Sequence, residues 1–169
     1  MTAVIVNVRD AIGARGEIIF SNLISKFHAE RQGPIFRSHF LGDKWPSADF
    51  IVELIGARET TPYFFVQVRA TRREYTARSN RLRVQASADQ VRGLFSYPAP
   101  TYIIGIDEVR ERGYIVSANG ETLNSMPNMS TRCPINKRNR MALWTEVNNF
   151  WSRHSGAKLV SSFADPDWR

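Results

Sequence analysis

ADFIVELIGARETTPYFFVQVRAT, residues Ala48–Thr71, holds two apolar runs joined by a polar, turn-rich segment. Asp49–Ile55 and Tyr63–Thr71 read as strands, and GARETTP at 56–62 reads as a hairpin connection. Alternate strand residues share a face. Asp49, Ile51 and Glu53 therefore lie together in the first run, and Phe65, Gln67 and Arg69 in the second. Paired as a hairpin, the two strands bring Asp49, at the start of one, close to Gln67 and Arg69 near the end of the other. A carboxylate, an amide and a cation on so apolar a sheet are costly unless they satisfy one another or a ligand.

The flanking sequence fills out the fold. Arg9 to about Arg31 reads as a helix, because Ile12, Ile19, Phe20, Leu23, Ile24 and Phe27 recur at helical spacing; Gly33-Pro34 ends it. Ile35–Leu41 reads as a short strand and GDKWPSA as a loop. After the arginine-dense RREYTARSNRLRV, Ser87 caps a short helix, SADQVRGLF. APTYIIGID and GYIVSAN read as the next two strands, and Met141–His154 as a last helix. In that helix Leu143, Trp144, Val147, Phe150 and Trp151 form an apolar stripe, suited to a core or a subunit contact. The order predicts an α/β fold with a mixed central sheet flanked by helices, in one domain spanning 1–169.

The 169 residues suffice to bury a core, and a 43% hydrophobic fraction excludes wholesale disorder. The net charge of +7, with a pI near 10.1, points to a polyanionic partner, nucleic acid first. Cys133 is the one cysteine, so neither an internal disulfide nor a cysteine-rich zinc cluster can form; a reducing cytoplasm fits this. No apolar run approaches a membrane span, and the opening residues lack the charge-first order of a signal peptide.

Gly16-Glu17 in the first helix, Asp49 opening a strand, the hairpin, and Gln67-Val68-Arg69 closing the next strand occur in a specific order. A short helix and a proline-led apolar strand, SYPAPTYIIGID, follow. This pattern resembles the PD-(D/E)XK nuclease superfamily. It is most similar to a bacterial branch whose motif ends in Gln-X-Lys, over about residues 11–119; residues 120–169 add a loop and the C-terminal helix. The resemblance implies a restriction-endonuclease-like core and a magnesium or manganese ion held by Asp49, Gln67 and the Val68 carbonyl. It implies that Glu17 holds a water, and that metal-dependent cleavage of DNA phosphodiesters serves DNA processing or bacterial defence. Arg69 stands where the family has lysine. Arginine stays charged, so it can stabilise a phosphorane but cannot act as a base.

Simpler readings stand beside these. Asp49 is also read as an exposed strand start, Gln67 as a satisfied buried amide, Arg69 as a strand end reaching solvent, and Glu17 as a surface residue. Glu53 fits a surface salt bridge. His28, His39 and His154 match no metal spacing, and Ser47 and Cys133 have no triad context. Arg72, Arg73, Arg78, Arg81 and Arg83 are read as phosphate contacts, with Tyr75 among them as a stacking group. Two states of the site are open: a cation on Asp49 and Gln67, or Arg69 in its place, paired with Asp49. The expected activity is a nuclease. The alternative is an inactive nuclease fold that binds nucleic acid or a partner protein as a structural or regulatory subunit, alone as a homodimer or with a partner subunit.

Overall fold

The computed structural model describes residues 7–57, 61–154 and 162–163. Helix α1 spans Val8–Ile24, and the Asn7 side chain caps it by accepting from the Arg9 N–H. It is followed by a small antiparallel pair, β1 (Phe27–His28) with β2 (Gly33–Pro34). The main sheet has five strands in the order β3 (Phe36–Phe40), β4 (Phe50–Leu54), β5 (Tyr63–Thr71), β6 (Thr101–Asp107), β7 (Arg112–Ser117). Helix α2 (Ala88–Phe95) lies within the β5–β6 crossover, and α3 (Lys137–His154) closes the fold. The architecture is α/β with a mixed sheet: β5 and β6 are parallel and the other neighbours antiparallel. Among the described residues no helix is long and apolar enough to cross a membrane.

β5 is the middle strand, and β4 pairs with it as a hairpin in the register Phe50↔Val66 and Ile51↔Phe65. Residues 58–60 of the connection lie outside the described residues. Both ends of that connection are held by tryptophans of α3. The Trp144 indole donates to the Ile55 carbonyl at 3.0 Å, and the Trp151 indole to the Tyr63 carbonyl at 2.8 Å. The α3 stripe is therefore core packing: Leu143 and Val147 are buried with it.

The two sheet faces build separate cores. α1 and α3 cover Phe50, Val52, Phe64, Val66, Val68, Ile104 and Ile106. On the other face α2 and two loops cover Phe65 and Ile103, with Leu82 and Met129 bridged backbone to backbone. Every residue of β6 is buried, as a strand covered on both faces requires.

The first helix is shorter than the expected span to Arg31. It stops at Ile24, and the Ser25 hydroxyl turns back onto the Ser21 carbonyl. Phe27, which completes the helical spacing, is 66% exposed. From Phe27 the backbone instead pairs with Gly33–Pro34. The buried Arg140 of α3 donates to the Lys26 carbonyl, the acceptor that a continued helix would offer to residue 30.

Gly16 fixes how closely α1 approaches the sheet. A Cβ there would lie 2.5 Å from the Ala70 Cβ on β5. Gly16→Ala gains up to about 1 kcal/mol of helix propensity, against an overpacking penalty of about 1–3 kcal/mol. We expect a net loss of stability in urea unfolding, larger for Gly16→Val; equal midpoints for all three proteins would contradict the close approach.

Candidate functional site

β4 begins at Phe50, one residue after Asp49. The Asp49 backbone still pairs with β5, its N–H donating to the Val66 carbonyl at 2.8 Å. Past Val66 that edge of β5 has no further strand residue to pair with. The Asp49 carboxylate takes over: Oδ2 accepts the Val68 N–H at 2.7 Å. The N–H and carbonyl of one strand residue point to the same edge. The Val68 carbonyl therefore faces the same opening.

Gln67 belongs to the opposite face from α1 and is 4% exposed. Its Nε2 donates to the Ser47 carbonyl at 3.2 Å, while its Oε1 is buried with no hydrogen-bond partner. An orphaned buried acceptor is uncommon in a folded protein. Ser47 has φ +60°, a left-handed conformation that a non-glycine residue rarely adopts. The loop before Asp49 is thus held in an unfavourable backbone state at the residue whose carbonyl takes the Gln67 amide N–H.

Glu17 approaches from α1. Burial raises its pKa above the ordinary 4.5, and the charges of Asp49 and Asp43 raise it further. Asp49 is also raised above its ordinary 3.8, chiefly by burial; the Val68 N–H and Arg69 oppose the shift and Asp43 adds to it. Asp43 is the member of this group that sequence reading missed. It sits in a loop with no periodic pattern, and only the fold turns that loop toward Glu17. Among the described residues no three His, Cys, Asp or Glu side chains converge tightly enough to hold a metal ion. Any cation would need mixed oxygen donors: the Asp49 carboxylate, the Gln67 Oε1 and the Val68 carbonyl. These are hard ligands of the kind magnesium and manganese accept, and the orphaned Oε1 and the unrelieved negative charge fit such an ion.

Arg69 is half-buried opposite Gly105 of β6. It lowers the Asp49 pKa through space, but among the described residues it forms no ion pair with Asp49. Arg69 therefore does not close the site by pairing with Asp49 in this structure. Glu53 is used elsewhere: it bonds His39 Nε2 at 2.5 Å and lies 3.9 Å from Arg37, both on β3.

The arginine segment divides. Arg81 donates through Nε and Nη2 to the Asn128 carbonyl at 3.2 and 2.8 Å, and Arg83 Nε donates to the Glu74 carbonyl at 2.8 Å. Both tie loops together. Arg72 lies 3.0 Å from Glu108 as an ion pair without hydrogen-bond alignment. Arg73 and Arg78 are exposed, with guanidinium groups that bond to nothing among the described residues. Tyr75 is not a free stacking group. Its hydroxyl donates to Asp107 Oδ2 at 2.8 Å and lies 2.9 Å from the Tyr114 hydroxyl, and Arg110 sits over its ring.

No protein-family model, curated protein or solved structure matches this chain.

Raised carboxyl pKa values have a consequence for stability. A carboxyl that titrates higher in the fold than in the unfolded chain contributes stability that is complete below its ordinary value and is lost as pH rises through the folded value. At neutral pH the Asp49 and Glu17 charges therefore weigh against the fold. Asp49→Asn keeps an oxygen acceptor for the Val68 N–H and removes the charge. We expect a higher Tm than wild type at pH 7 by scanning calorimetry, with the gap narrowing as pH falls toward about 4. A lower Tm at pH 7 would show that the charged carboxylate stabilises the fold.

Proposed function

We propose that this chain is a nuclease-like domain of the PD-(D/E)XK type, with a restriction-endonuclease-like core, that hydrolyses DNA phosphodiesters with magnesium or manganese. One observation carries the reading: Gln67 keeps a buried Oε1 without a hydrogen-bond partner, and the next residue of the strand, Val68, gives its N–H to the Asp49 carboxylate. Asp49, Gln67 Oε1 and the Val68 carbonyl would hold the ion, and Glu17 would hold water from the α1 side. A bound divalent ion supplies Lewis-acid polarisation and makes water more acidic. The side chains do the rest. The raised Glu17 carboxyl is suited to taking up a proton from the attacking water. Arg69 places a permanent positive charge where the phosphate gains negative charge. Water adds across the P–O bond, leaving a phosphate on one product and a hydroxyl on the other. Arg73 and Arg78 are the open cations for the nucleic-acid backbone.

A specific observation favours a second reading, in which the same fold binds nucleic acid or a partner protein without cutting. Arg69 cannot accept a proton at any relevant pH, and the acidic residues do not converge as a three-carboxylate metal cluster among the described residues.

The two readings separate in one set of assays. For a nuclease, Arg69→Lys cuts at least as well as wild type with magnesium or manganese, Asp49→Ala cuts nothing, and manganese raises the wild-type Tm but not that of Asp49→Ala. Wild type and Arg69→Lys both inert on single- and double-stranded DNA and RNA would leave only the binding reading. In either case Arg73→Ala and Arg78→Ala should each lower the slope of log affinity against log salt by about one. Arg81→Ala should instead act mainly through stability, since its guanidinium is committed to the Asn128 carbonyl.

A further inference from the structure

Three tryptophans stand among the described residues, and two are structural: Trp144 and Trp151 give their indole N–H groups to the Ile55 and Tyr63 carbonyls. Trp45 differs. It is 48% exposed, and its indole N–H has no partner among the described residues. Its ring leans on Phe65 with centroids 6.3 Å apart and planes 31° apart, leaving the outer side to solvent.

The loop that carries it is held rigidly. The Leu41 N–H donates to the Asp49 carbonyl at 2.9 Å. Tyr97 donates its hydroxyl to the Pro46 carbonyl, and Gln67 donates to the Ser47 carbonyl. Ser47 packs so closely on Gly93 of α2 that a side chain at 93 would strike it. Trp45 also precedes a proline, which restricts its backbone. The same loop carries Asp43, whose charge acts on Glu17 and Asp49, so it borders the candidate site. Lys44, exposed, is the adjacent cation.

We propose that Trp45 is a stacking platform for an unpaired nucleobase, so that the site takes single-stranded rather than duplex nucleic acid. This rests on the nucleic-acid reading of the same site. A base in a duplex has both faces covered by its neighbours and cannot stack on an external indole, whereas an unpaired base can. Base stacking is indifferent to charge. It can hold a strand beside an acidic cluster that repels phosphate, and pinning the loop beforehand removes the ordering cost of the contact.

The test is binding of fluorescein-labelled dT12 and of a 12-bp duplex by anisotropy in EDTA, with wild type, Trp45→Ala and Trp45→Phe. Wild type should prefer dT12. Trp45→Ala should lose at least about fivefold in dT12 affinity with the salt slope unchanged, Trp45→Phe should lose less, and duplex affinity should not change. Adding dT12 should quench tryptophan emission in wild type, and much less in Trp45→Phe, a change that a merely structural residue would not produce. Unchanged dT12 affinity in Trp45→Ala, an equal loss on duplex, or no binding of dT12 by wild type would overturn the proposal. Cleavage is scored separately. Trp45-dependent binding of a dT12 that magnesium and manganese leave intact removes the nuclease reading and keeps this one. Equal cutting of single strand and duplex by wild type and Trp45→Ala does the reverse.

Discussion

The hydrogen bond from the Val68 N–H to the Asp49 carboxylate lies where β4 runs out and β5 continues. A central strand that outlasts its neighbour leaves backbone groups with no strand partner, and a partly buried edge must meet them another way. Here a side chain does so. The carboxylate is drawn into the plane of the sheet, between the face covered by α1 and the face that carries Gln67. Asp49 meets the Val68 N–H because β5 is longer than β4 and the residue before β4 is acidic.

Two other constraints act around that bond. Gly16 lets α1 settle against Ala70, which brings Glu17, one residue on, within electrostatic reach of Asp49. The left-handed Ser47 turns the preceding loop back over α2, which sets its carbonyl on the Gln67 amide and sends Asp43 toward the other acids. The result is a pair of carboxyls raised by burial and by neighbouring acids, an unsatisfied Gln67 oxygen, and an Arg69 whose charge offsets the Asp49 shift only in part. Such arrangements oppose folding and persist at functional sites.

Local chemistry was legible wherever it was self-contained. Ser87 and Gln90 form a reciprocal capping box, as a serine ahead of a short apolar-faced helix suggests. The dense apolar run Tyr63–Thr71 located β5 to the residue, because a strand covered on both faces reads as a nearly continuous apolar segment. Phe27 continues the spacing of the first helix, while its backbone is taken by pairing with Gly33–Pro34 and the Lys26 carbonyl by Arg140, far along the chain. The arginines were legible as a charge run but not as individuals. Whether a guanidinium faces solvent or a loop carbonyl depends on where residues 74 and 128 come to lie.

By itself the sequence determined the strand faces, the hairpin of β4 with β5, and hence the nearness of Asp49 to Gln67. These follow from a two-residue period and a short connection, which act over neighbouring residues. Only the tertiary structure decided that Asp49 bonds the Val68 N–H, that Gln67 keeps an orphaned oxygen, that Asp43 joins the acidic group, and that Arg69 acts on Asp49 without forming an ion pair with it. Each of those depends on burial and on contacts between segments remote in sequence. Desolvation and long-range packing, unlike periodicity, leave no local trace in the chain.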